Sequence, residues 1–344
     1  MNRIRRISGD LRKTRLRPLP SMEKPTLQLN SLIDMTDHQA VLAEIVQTLS
    51  AKWPSFDFTY LERVFSDMER LFHGRYPGYQ ACNTRYHDFR HTLDVFLAMA
   101  RLLHGGAVAG LRFTDKQVAL GVISALMHDT GYIQTTDDRL GTGAKYTVAH
   151  IDRSIAFMKR YYAGDPLFEK ELPAFDHILH CTGFVMKIPE MRFPSRELEL
   201  LGKMLGTADL LGQMADRLYL EKLLLLYYEF VEAGIPDYES ELDLLKKTVP
   251  FSQFIRRRYA ADLGGVDNYM IHHFRVRWNI DRDLYREAVE QNVRRLQFIL
   301  GSDPSHYRLH LRRNGITKSL QTPNLRPEPP ELAGTDPPDG KASG

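Results

Sequence analysis

Apolar residues recur at three- and four-residue intervals from about residue 31 to residue 316, and sustained two-residue alternation is absent. That period is helical. The first helix-like stretches are MTDHQAVLAEIVQTLS, FTYLERVFSDMERLFH, HDFRHTLDVFLAMARLLHGG, TDKQVALGVISALMHD, TVAHIDRSIAFMKRYY and LPAFDHILHCTG. SRELELLGKMLGTADLLGQM, DRLYLEKLLLLYYEFVEAG, YESELDLLKKTVPFSQFIRRRYAADL and RDLYREAVEQNVRRLQFIL follow. A Thr or Asp cap opens the first stretch and Thr114 the fourth, while Gly74 and the pair Gly105 and Gly106 read as stops. The pattern predicts an all-α domain of about ten helices without internal repeats.

The periodicity fails at both ends. Residues 1–30 are basic and then Pro-containing, and the stretch from 317 to 344 is rich in Pro and Gly and poor in large apolar residues. Neither can bury enough surface to offset the entropy of ordering, so both are expected to be disordered tails around a folded body at 31–316.

Charge sharpens this division. Residues 1–20 hold seven basic residues against Asp10, a net +6, so the remainder carries −3 of the overall +3. The body is therefore not a sequence-specific nucleic-acid binder. The tail, by its charge, suits phosphates or anionic lipid, but a solvated tail is the plainer expectation. No run approaches the ~18 apolar residues of a membrane span, and the N-terminus lacks the apolar region of a secretory signal. Two cysteines, Cys82 and Cys181, imply no disulfide framework. The expected location is cytoplasmic. LYLEKLLLLYYEF is apolar enough for an oligomer face, such as a homodimer's, but is expected to be domain core.

Several ionisable residues sit in apolar surroundings. His87 and His91 lie four apart and share one helix face. His128 and Asp129 close the apolar run GVISALM, and Gly131 just behind reads as the end of that helix. Asp209 is flanked by Ala208, Leu210 and Leu211. Burying charge is costly unless compensated, and a divalent metal compensates an imidazole and carboxylate set. Adjacent side chains on a helix point about 100° apart, so His128 and Asp129 can meet one ion only where the helix ends. The alternatives are an Asp cap beside a packed His, and an Asp209 paired with an arginine such as Arg217.

Taken together, His…His-Asp…Asp resembles the signature of the HD superfamily of metal-dependent phosphohydrolases. YHDFRHTLDV is similar to the YHN-x-x-H-A-x-D-V signature of class I cyclic nucleotide phosphodiesterases through Tyr86, His87, His91, Asp94 and Val95. MHDTGY and TADLLGQ resemble the two later blocks, and the likeness spans about residues 60–230. The resemblance implies that His91, His128, Asp129 and Asp209 hold one metal and that Asp129 bridges to a second. It implies His87 as general acid, with hydroxide attack on phosphorus. Histidine fits the acid role because its pKa lies near neutrality. His150 and His180 are candidates for the second metal or a phosphate oxygen.

The implied function is hydrolysis of a 3',5'-cyclic nucleotide to the 5'-nucleotide, with two divalent ions drawn from Mg, Mn, Zn or Fe. The substrate would be a small nucleotide-like phosphoester, with Tyr86 and Gln253 as contacts. Other readings of the same set are a hydrolase of another nucleotide or phosphate monoester, a non-catalytic nucleotide-binding regulator, and a di-iron oxygenase. The departures from the pattern are Asp88 for Asn, HDTGYIQ where HD-x-x-H-P-G is usual, and Gln253 as the nearest counterpart of a purine-binding glutamine. Arg256, Arg257 and Arg258 suit substrate steering or a solvated face.

Overall fold

The computed structural model describes residues 27–184, 186–302 and 304–320. Among them the chain is all-α, with thirteen α-helices, several 3-10 turns and two isolated β-bridges. The helices are α1 (His38–Ser50), α2 (Phe58–Phe72), α3 (Phe89–Val108), α4 (Asp115–Met127), α5 (His150–Tyr161), α6 (Leu172–His180) and α7 (Arg196–Ala215). Then come α8 (Tyr219–Glu232), α9 (Glu241–Ala261), α10 (Tyr269–Trp278), α11 (Leu284–Ser302), and the single turns α12 (Tyr307–His310) and α13 (Ile316–Ser319). No described helix is long and apolar enough to cross a membrane.

Local chemistry starts these helices where the sequence indicates. Asp37 accepts from the backbone N–H of Gln39 and Ala40 to open α1, and Thr114 with Gln117 forms a reciprocal capping box on α4. α3 is the centre of the molecule. Its residues from Leu93 to Gly106 are buried apart from Asp94, and it packs on α1, α4, α7 and α10. A helix apolar all round belongs inside, and burying each large aliphatic or aromatic side chain contributes roughly 1.5–3 kcal/mol.

Three expectations are revised. Gly105 and Gly106 do not stop α3, which runs through both to Val108. Gly105 is where α10 crosses: a Cβ there would lie 2.0 Å from the Tyr269 carbonyl oxygen. α10 itself, YMIHHFRVRW, was not among the expected helices. It packs on α3 with His273 and Phe274 at 0% exposure, although charged residues interrupt its apolar period. The body also exceeds 31–316: residues 29–31 form a 3-10 turn, and Thr317 and Leu320 are buried. Residues 1–26 and 321–344 of the expected tails lie outside the described residues. α8 is core rather than an outer face, with Leu220 and Leu223 to Leu226 buried.

Candidate metal centre

Four helices converge on one polar cluster. His91 stands in the first turn of α3, where the Asp88 side chain caps the helix by accepting from His91 N–H at 2.8 Å. His128 and Asp129 follow the end of α4. His128 keeps helical backbone angles and Asp129 leaves them (φ −107°, ψ 9°), so the adjacent side chains turn toward each other. Their atoms Nε2 and Oδ2 are 3.2 Å apart. Asp209 comes from the middle of α7.

His91 Nε2 lies 3.4 Å from Asp129 Oδ2 and 3.3 Å from Asp209 Oδ1. His91, His128 and Asp129 form a buried group that could hold a metal ion, and Asp209 stands at its rim, 4.0 Å from His128 Nε2. The donor set passes a simple test of fit. Ligand bonds of about 2.1 Å place neighbouring donor atoms about 3.0–3.4 Å apart, and the separations of Asp129 Oδ2 from His91 Nε2 and His128 Nε2 fall there. His128 Nδ1–H donates to the Ala125 carbonyl at 2.8 Å, which leaves Nε2 as the coordinating nitrogen. That Nε2 and Asp129 Oδ2 are buried without a hydrogen-bond partner. Such orphaned atoms are costly unless something satisfies them.

The HD turn is held from α5. Ser154 Oγ donates to the His128 carbonyl at 2.6 Å and accepts from Gly131 N–H at 2.8 Å. Gly131 was expected to end a helix. Its role is close approach, since a Cβ would lie 2.0 Å from the His150 carbonyl oxygen. This contact sets His150 beside the cluster, with Nδ1–H donating to the Thr147 carbonyl at 2.6 Å and Nε2 3.9 Å from Asp129 Oδ1. Asp129 thus faces His91 and His128 with one oxygen and His150 with the other.

His87 precedes α3, and its ring centroid is 5.7 Å from that of His91. Its Nδ1–H donates to Glu229 Oε2 on α8 at 2.7 Å. The other Glu229 oxygen accepts from the backbone N–H of Arg85 and Tyr86. Tyr132 stacks between His87 and His150, with centroids 4.3 and 4.7 Å away.

Electrostatics follow this arrangement. Burial alone would lower the pKa of His128, but the Asp129 and Asp209 carboxylates outweigh it and raise it to about 9. Burial likewise works against a charged His87, and Glu229 reverses the sign and raises its pKa. Asp129 is pushed up by burial and pulled well below the carboxylate range by His128, His87 and His91. For His150 burial prevails over Asp129, and its pKa is lowered.

The remaining candidates lie elsewhere. Tyr86 is 3% exposed, so it has no face for a substrate; its hydroxyl donates to Gln213, which reaches Asp209. Gln253 is on the exposed face of α9, lining a cleft toward α11 rather than the cluster. His180 is partnered by Asp176 and Asp152. The arginine triplet is split: Arg258 is buried and donates to the Cys181 and Gly183 carbonyls, Arg256 pairs with Glu290, and Arg257 is exposed. Asp209 pairs with His91 rather than Arg217. Sequence reasoning passed over Glu229, Tyr132, Gln213 and Ser154. Glu229 carried a usable signal, a carboxylate in the apolar run LLLLYYEF.

A family model described as Npun_R2479-like matches residues 136–261, just over a third of the chain. The matched stretch contains His150, Asp209 and Glu229 and starts after the HD pair. The searches of curated proteins and of solved structures returned no match.

Proposed function

We propose that this protein is a divalent-metal-dependent phosphohydrolase, and that its leading substrate class is a cyclic nucleotide phosphodiester. The observation that carries the reading is the orphaned pair of buried donor atoms, His128 Nε2 and Asp129 Oδ2, directed at each other and at His91. His91, His128, Asp129 and Asp209 would hold the first ion, with Asp129 and His150 beside a second. Such ions supply a polarised phosphoryl oxygen and water of lowered pKa.

The chain's own residues supply the rest. Glu229 faces the Nδ1 of His87, favours its protonated form and raises its pKa. His87 can deliver a proton from Nε2 to a leaving oxygen while Nδ1 stays bonded to Glu229. Tyr132 fixes the ring plane by stacking, and its hydroxyl lies 3.5 Å from that Nε2. Asp88 and Ser154 hold the two ligand-bearing turns in place. The resemblance of YHDFRH to the phosphodiesterase signature favours a phosphodiester, whose leaving alkoxide would take up the His87 proton.

The test pairs elemental analysis with hydrolysis of bis(p-nitrophenyl) phosphate in added manganese, followed by chromatography of cyclic nucleotides incubated with the protein. Bound metal and turnover are expected, both lost in Asp129→Ala. Bound metal without turnover refutes the hydrolase reading. Two irons with a visible absorption band would favour an oxygenase instead, using His150 as an additional ligand.

A further inference from the structure

A second cavity lies on the other flank of the helices that carry His91 and Asp209. It measures about 650 Å³ and is bounded by residues 29–36, α3, the α7–α8 turn and Tyr285 of α11. Sites for small organic ligands run from roughly 300 to 1,000 Å³. Arg90, Asp94, Leu97 and Arg101 wall it from α3. Their spacing makes one stripe, and His91, one residue after Arg90, points about 100° away. The cavity is therefore separate from the metal centre.

Arg101 stands out among its walls. It is 2% exposed, and its Nη1 donates to the Tyr285 hydroxyl at 3.1 Å. Its Nε and Nη2 have no partner among the described residues. The guanidinium lies 5.7 and 5.6 Å from the ring centroids of Phe274 and Tyr285, contacts that offset part of a buried charge. No described carboxylate lies within ion-pair distance of it. The three acids that line the cavity are engaged elsewhere. Asp34 accepts from the backbone and hydroxyl of Thr36, Asp94 pairs with Arg90 at 3.2 Å, and Asp216 pairs with Lys222 at 2.7 Å. Arg217 and Arg313 add two further cations at the rim. A buried guanidinium with free N–H groups beside a cavity is a site short of an anion.

We infer that this cavity binds the oxyanion, phosphate or carboxylate, of a small organic molecule. Arg101 receives the head group, and Leu29, Ile33, Met35 and Leu97 cover the apolar body. Bidentate pairing with a planar guanidinium suits both oxyanions.

Thermal unfolding of the full chain in sodium phosphate, in sodium benzoate and in sodium chloride at matched ionic strength tests this. We expect at least one oxyanion to raise the Tm by roughly 2–5 °C over chloride, and which one does so identifies the head group. The rise should survive in Asp129→Ala, where the metal centre is broken, and disappear in Arg101→Met. It should shrink in Arg217→Glu, an exposed substitution that serves as the test if Arg101→Met does not fold. An absent rise, an equal rise in both arginine variants, or a rise lost in Asp129→Ala overturns the assignment.

Discussion

The two ends of α3 each bury a pair of histidines and set them to opposite purposes. At the N-terminal end His91 meets His128 with Asp129 and Asp209 between them. At the C-terminal end His104 meets His273 of α10, Nδ1 to Nδ1 at 3.3 Å, and the charges nearby are Lys52, Arg101 and Arg277. Burial is similar: His91 and His128 are 3% and 2% exposed, His104 and His273 1% and 0%. The protonation tendencies diverge. His128 is raised to about 9, and His104 is lowered by burial, Lys52 and Arg277 to about 4. The sign of the surrounding charge, not burial, therefore separates a cluster that could hold a cation from one whose imidazoles are pushed toward the neutral form.

The largest effect that would break this contrast is at Asp129. Asp129→Ala should strip the metal and reduce hydrolysis to background, because it removes the carboxylate shared by His91, His128 and His150. Elemental analysis and the bis(p-nitrophenyl) phosphate assay read both, and unchanged metal with unchanged rate would end the site assignment. His87→Ala should leave the metal in place and slow hydrolysis by roughly 10²- to 10⁴-fold, the usual loss for a general acid. Loss of metal in that variant would make His87 a ligand instead. Glu229→Gln is milder. It keeps an acceptor for the Arg85 and Tyr86 amides but removes the charge that holds the His87 proton, so a loss of about 10- to 100-fold is expected. The discriminating readout is the alkaline limb of the rate–pH profile, which should move to lower pH. A profile that keeps its shape would assign Glu229 to folding alone.

How far the sequence displayed these two regions follows from their physics. The all-α fold was legible because period and caps agree: Asp37 and Thr114 cap where the pattern begins. His91, His128, Asp129 and Asp209 were legible because each is a polar residue in an apolar setting, a conflict visible in one dimension. The partners were harder to read. Glu229 lies 142 residues from His87, and only tertiary folding brings its carboxylate to that ring. Gly105 and Gly131 read as stops because glycine ends helices often, whereas here each makes room for a crossing backbone, a demand no local pattern reveals. α10 was missed because Arg275 and Arg277 break its apolar period, and its hold on α3 comes through buried His273 and Phe274. The cavity around Arg101 was hidden for the same reason, since an arginine within an apolar run gives no sign of whether it finds a carboxylate.

The smallest effect sharpens the neutral pair. More than about one unit above pH 6.5, His104 and His273 are essentially uncharged in the folded and unfolded chains alike, and they contribute almost nothing to the pH dependence of stability. As the pH falls from 6.5 toward 4, the unfolded chain takes up protons that folded His104, depressed to about 4, refuses. Stability must then drop, by up to about 1.4 kcal/mol per pH unit for each such histidine. The metal centre also loses stability in acid, so the wild-type curve alone does not isolate the pair. The double variant His104→Leu with His273→Leu does, because it leaves every ligand in place. Between pH 6.5 and 4.5 its urea-unfolding free energy should fall by about 4 kcal/mol less than that of the wild type, about 2 for each histidine removed, with metal content at pH 7.5 unchanged. Parallel curves would mean that the pair is protonated in the folded state, and that a counter-charge at this end of α3 undoes the contrast with the other.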